Sequence, residues 1–262
     1  MNARDRLWVA LDVDEPDRAR ELIRLLGGLV GGFKIGMRLF YRTGPAFVRE
    51  LTGQGIPVFL DLKLHDIPAT VAGAVRALVR CGVAMLNVHA AGGKAMMQAA
   101  AHAAREEAGL LGINPPAVLG VTVLTSIDAT VFRRELGFAG PIKEKVVAWA
   151  GLAAEAGLAG VVASPLEAGI IKARCGPSFL VVTPGIRPGG GGLDDQRRWA
   201  TPAGAVRAGA DCLVVGRPVV TAADPVAVVK EILNEIAGAD PAASCAGRVL
   251  PGTKTDREQP GR

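Results

Sequence analysis

The chain has 262 residues, 50% hydrophobic and 21% charged, which excludes wholesale disorder and leaves material for a large core. Aromatics are only 4%, which argues against stacked-base readers of RNA, and a net charge of +5 without a dense basic run fits a small anionic substrate better than a nucleic acid. The four cysteines (Cys81, Cys175, Cys212 and Cys245) are scattered with no CxxC pair, which argues against a zinc site or disulfide framework and for a reducing, cytoplasmic setting.

At the N-terminus, Asp12, Asp14 and Glu15 come too early for a signal-peptide core. No apolar run reaches the roughly 18 residues of a membrane span. Eight short runs rich in Val, Leu and Ile follow along the chain, at 7–13, 33–36, 57–62, 84–89, 117–124, 160–163, 179–183 and 212–215. Such continuous apolar runs suit strands buried on both faces. Helix-length segments lie between them, the clearest at 17–26, 69–81, 94–108, 143–156, 166–173 and 225–236. Pro16, Pro68, Pro165 and Pro225 sit at helix starts, and Gly82, Gly109 and Gly157 at helix ends. Eight strand-then-helix units predict a single α/β domain, a (β/α)8 TIM barrel over 1–237, rather than an open doubly wound sheet. From Gly238 the periodicity stops, and 238–262 reads as a flexible C-terminal tail.

In such barrels, functional groups gather at the C-terminal ends of the strands. Asp12 closes the first predicted strand, Lys34 lies in the second, and Asp61 and Lys63 close the third. Strand alternation puts Asp61 and Lys63 on the same side. Their pairing is readable as a salt bridge or as chemistry. Asp66 lies past the strand end, where alternation cannot place it, and just before Pro68 it is readable as a helix cap. Thr125 and Ser126 follow the fifth strand and are readable as caps or as ligand contacts. Arg187, the glycine run 189–192 and Gln196 follow the seventh strand, and Gly216 and Arg217 follow the eighth. Loops after the seventh and eighth strands are the usual phosphate site of the barrel, where glycine admits the phosphate and arginine offers a forked donor. His65 and His89 show no metal-ligand spacing.

Together these segments resemble the orotidine 5′-phosphate decarboxylase family. The likeness is carried by VALDVDEP (9–16), FKIGMRLFYRTGP (33–45), DLKLHDIPAT (61–70), GVTVLTS (120–126), TPGIRP (183–188) with DDQ (194–196), and VVGRP (214–218), in that order. The D-x-K-x-x-D element alone is shared with sugar-phosphate relatives of the same superfamily. Its continuation as DIPAT, with LTS and TPGIRP…DDQ, is specific to the decarboxylases.

The resemblance implies conversion of orotidine 5′-phosphate to UMP and CO2, the last step of de novo pyrimidine synthesis, with no cofactor and no metal. It implies a homodimer with active sites at the subunit interface. Lys63 matches the lysine that protonates C6, and Lys34, Asp61 and Asp66 match the rest of an alternating charge network. Asp66, Ile67 and Thr70 match residues that reach the neighbouring subunit's site. Asp12 matches a ribose contact and Thr125 a contact near the base, with Ser126 beside it. Arg187, Gln196, Gly216 and Arg217 match the phosphate grip. The alternatives are a Mg2+-dependent sugar-phosphate decarboxylase or aldolase of the same superfamily, and a barrel that binds phosphorylated ligands without catalysis.

Overall fold

A computed structural model of the chain describes residues 1–190 and 198–239. Eight parallel strands close into a barrel in chain order: β1 (Leu7–Ala10), β2 (Gly32–Gly36), β3 (Val58–Leu64), β4 (Met85–His89), β5 (Ala117–Val121), β6 (Gly160–Val162), β7 (Leu180–Thr183) and β8 (Cys212–Val215). Closure is made by β1 on β8, with Trp8 opposite Val214 and Val9 opposite Val215. Helices α1 (Ala3–Arg6), α2 (Pro16–Leu26), α3 (Met37–Gly53), α4 (Pro68–Val79), α5 (Gly93–Leu111), α6 (Ile142–Glu155), α7 (Ala168–Cys175), α8 (Pro202–Arg207), α9 (Arg217–Val220) and α10 (Pro225–Ala239) alternate with them. The predicted barrel is the fold observed.

Alternation along each strand makes two cores. Trp8, Phe59, Met85, Leu119, Val182, Cys212 and Val214 fill the inside of the barrel. Val9, Leu60, Leu86, Val118, Val181, Leu213 and Val215, their neighbours in sequence, pack outward with the helices. Gly32 makes room for the indole of Trp8, because a Cβ there would lie 2.4 Å from Trp8 Cζ3. With this apolar plug below, the next inward positions on β2, β3 and β4 carry Lys34, Asp61 and Asn87. The polar layer therefore sits at the C-terminal mouth.

Several element ends differ from the sequence reading. β1 stops at Ala10, so Asp12 lies two residues beyond the strand rather than closing it. β5 stops at Val121, where its partner β6 ends at Val162. β3 runs on to Leu64 through an irregular register against β4. A helix absent from the clearest sequence segments, α3, follows β2 and is broken at Gly44 (φ 66°) ahead of Pro45, the pair that punctuates the sequence there. The last helix continues to Ala239, and 240–262, most of the expected tail, lies outside the described residues.

Candidate active site

Lys34 lies in the middle of β2, paired in register with Ala10 and Phe59. Its side chain is only 11% exposed, with Nζ 3.2 Å from Asp12 Oδ1 and 3.2 Å from Asp61 Oδ2. The other oxygen of Asp61 accepts from Lys63 Nζ at 2.7 Å. The order Asp12–Lys34–Asp61–Lys63 is thus a chain of alternating charge across the mouth. Glycines border it: a Cβ on Gly36 would lie 3.1 Å from Lys34 Nζ, and one on Gly216 3.3 Å from Asp12 Oδ2.

The charges hold one another in their ionised forms. Burial pushes the Asp61 carboxyl up, but the Lys34 and Lys63 charges and the hydrogen bonds from Lys63 and Asn87 outweigh it and bring the pKa down to about 2. Burial alone would push the Lys34 ammonium down, yet Asp61 and Asp12 more than reverse this and raise it.

Strand alternation is not what brings Lys63 to Asp61. Leu60 pairs with Leu86 and Leu64 with Val88, so the register slips between them. Within the slip Lys63 takes a φ of 53°, the one positive value outside glycine among the described residues. For a long side chain that conformation costs about 1–3 kcal/mol and persists where surrounding contacts impose it. Here the contact is Asn87, 1% exposed on β4. Its Oδ1 accepts from the Lys63 backbone N–H at 2.8 Å, and its Nδ2 donates to Asp61 Oδ1 at 2.7 Å. Sequence reasoning missed Asn87. The signal available was a polar residue inside an otherwise apolar run, at the inward parity of β4.

A cavity of about 560 Å³ opens over this chain. Asp12, Lys34, Asp61, Lys63, Thr125, Ser126, Arg187, Gly216 and Arg217, all singled out from sequence, line it together. Arg187 is 7% exposed and donates from Nη1 to the Ile186 carbonyl, while Arg217 opens α9. No histidine lines the cavity among the described residues. The His65 and His89 rings face each other 5.4 Å apart instead, and burial pushes His89 down, helped by His65 and Lys63.

Three expected residues among those described are not in this cavity. Asp66 and Ile67 are exposed on the turn from β3 into α4, and Thr70 is exposed in the first turn of that helix. Asp66 does not cap α4: Ile67 holds the cap position, and Asp66 Oδ1 accepts from the Ile67 N–H at 2.6 Å. Gln196 and part of the glycine run lie outside the described residues. The chain on either side of that stretch is joined, with the Arg187 N–H on the Ala200 carbonyl and the Ala200 N–H on the Gly185 carbonyl. Arg198, also missed from sequence, braces it. Its guanidinium donates to Glu167 Oε1 at 2.6 Å and to the Val123 and Leu124 carbonyls at 3.0 Å, directly before Thr125.

The family described as orotidine 5′-phosphate decarboxylase / HUMPS matches residues 5–232. Orotidine 5′-phosphate decarboxylase of Moorella thermoacetica is 54% identical over 90% of this chain and 94% of its own length. The enzyme of the same name from Paramagnetospirillum magneticum is 49% identical over 88% and 97%. Among solved structures, orotidine 5′-phosphate decarboxylase from Lactobacillus acidophilus superposes with a TM-score of 0.78 at 39% identity, covering 88% of this chain and 98% of that one.

Proposed function

The chain belongs to the orotidine 5′-phosphate decarboxylase / HUMPS family, and from that premise we propose how its residues divide the work. The protein is a carboxy-lyase of pyrimidine biosynthesis that converts orotidine 5′-phosphate to UMP and CO2. The observation that carries our reading is the Asp12–Lys34–Asp61–Lys63 chain set beside Arg187, Gly216 and Arg217 in one cavity.

In the reaction the bond from C6 to the carboxylate breaks and its electron pair stays on C6. The Lys63 ammonium stabilises that charge and then delivers its proton to C6, leaving an amine that solvent reprotonates. Asp61 and Lys34 keep the ammonium in place, and no cofactor takes part. Two unit charges about 4 Å apart attract by roughly 4 kcal/mol at an effective dielectric near 20. Enzymatic accelerations need about 8–23 kcal/mol. The remainder comes from binding away from the reacting carbon: Arg187, Gln196, Gly216 and Arg217 hold the phosphate, Asp12 the ribose, and Thr125 and Ser126 the base, with Lys34 also touching the substrate.

The working unit is a homodimer in the cytoplasm. Ile67 is 66% exposed, and Met37 and Tyr41 are 43% and 75% exposed, all near the mouth of consecutive units. That surface suits a second copy, which brings Asp66, Ile67 and Thr70 to the neighbouring site. The free thiols of Cys81, Cys175 and Cys212 are consistent with a reducing compartment. No helix among the described residues is long and apolar enough to cross a membrane.

Mixing two inactive variants, Lys63→Ala and Asp66→Asn, tests the shared site. Random reassortment gives heterodimers with one intact site each, so about a quarter of wild-type activity returns. No recovery from variants that exchange subunits would place Asp66 outside the neighbour's site.

A further inference from the structure

The decarboxylation scheme leaves unexplained how Lys63 is kept in its left-handed backbone conformation, and it gives Asn87 no part. Asn87 stands on β4 between Leu86 and Val88, the two residues that pair on either side of the register slip in β3. Within that slip the ladder offers Lys63 no partner in register. The Asn87 amide supplies one, accepting from the Lys63 N–H at 2.8 Å while donating to Asp61 Oδ1 at 2.7 Å. One planar group therefore fixes both the backbone of Lys63 and the carboxylate that receives its ammonium.

We propose that Asn87 is a positioning residue for proton delivery: its amide sets the backbone of Lys63 and the orientation of Asp61 together, so that the ammonium lies at the reacting carbon. This rests on the reading of Lys63 as proton donor. The chemistry of the position is restrictive. Leucine, of similar size, would leave the Lys63 N–H without its partner in a partly buried place. Aspartate could accept from that N–H, but when ionised it would face Asp61 with a like charge. Serine is too short to span both partners.

The test measures kcat, KM, UMP binding and thermal stability for Asn87→Leu, Asn87→Asp and Asn87→Ser. A displaced ammonium lowers kcat of Asn87→Leu and Asn87→Ser by about 10²-fold, the scale of a misplacement near 1 Å. KM and UMP affinity stay within about threefold, because the phosphate grip lies on β7 and β8. Asn87→Asp carries a signature that packing cannot mimic. Once protonated, its carboxyl can donate to Asp61, so activity rises as the pH falls, a limb the wild type lacks. The titratable groups around that carboxyl are Asp61 and Lys63 in direct contact, Lys34 and then Asp12 reached through Asp61, and His89, two residues along β4 and paired with the His65 ring. Of these, Asp61 shares its hydrogen bond, so the new limb belongs to Asp61 and the introduced carboxyl as a pair.

Folded variants with wild-type kcat across pH would overturn the proposal. So would a fall in stability and active-site number with unchanged kcat per active site, which would make Asn87 a packing residue. If Asn87→Leu does not fold, Asn87→Ser and Asn87→Asp carry the same comparison. Failure of the underlying reading is separately visible, since an active Lys63→Ala would remove the proton donor whatever Asn87 does.

Discussion

Asp61 joins both lysines of the mouth, and its carboxylate oxygens divide between them. Its pKa of about 2 in the folded chain lies below its ordinary 3.8, so its contribution to stability is present above about pH 4 and is lost as the pH falls through 2. The shift corresponds to about 2 kcal/mol. Urea unfolding between pH 2 and 5 should show the wild type losing that much more stability than Asp61→Asn as the solution is acidified. Parallel curves would mean that Asp61 has no such linkage. At this scale the sequence was informative where a charged residue interrupts or follows an apolar run: Asp12, Lys34, Asp61 and Lys63 are readable there. Asn87 offered only its polarity within an apolar run; its role was not readable, because its partners lie 24 and 26 residues away across a register slip that no local pattern announces.

Among the elements, β7 ends at Thr183 and α8 begins at Pro202, and Arg198 stands just ahead of α8. Arg198 ties this part of the chain to the loops that follow β5 and β6, through Val123, Leu124 and Glu167. The pair is largely buried, with Arg198 at 12% and Glu167 at 7% side-chain exposure. Removing one partner strands the other charge, so Arg198→Ala should lose about 3–5 kcal/mol in denaturant unfolding. Replacing both, as Arg198→Met with Glu167→Leu, should recover much of that loss. Simple additivity of the two single losses would contradict a coupled pair. The sequence located all eight strands through their apolar runs, yet it extended β1 and β5 too far. Apolar residues continue past the last barrel pairing there, and composition cannot register where a neighbouring strand ends. Arg198 stayed invisible because its partners are 31 to 75 residues away.

For the whole molecule, alternation makes the reaction site possible: a dry plug of Trp8, Phe59 and Met85 lies beneath a layer of paired charge. That low-dielectric floor strengthens each ionic contact above it. The barrel was legible as eight repeated strand–helix units, and the family as six motifs in order. The proposed second subunit was not legible from periodicity. Asp66, Ile67 and Thr70 face outward and acquire a role only through the resemblance and the exposed surface around them.

On the proposed reading, Lys63, held by this charge chain, carries out a decarboxylation without metal or cofactor. The direct measurement is the ultraviolet loss of orotidine 5′-phosphate in excess EDTA, for the wild type beside a folded Lys63→Ala variant. Rapid conversion to UMP by the wild type, with at least about a 10²-fold loss in the variant, is the predicted result. Wild-type turnover that stops in EDTA would mean that a metal takes part, and a variant that retains wild-type activity would mean that Lys63 is not the proton donor.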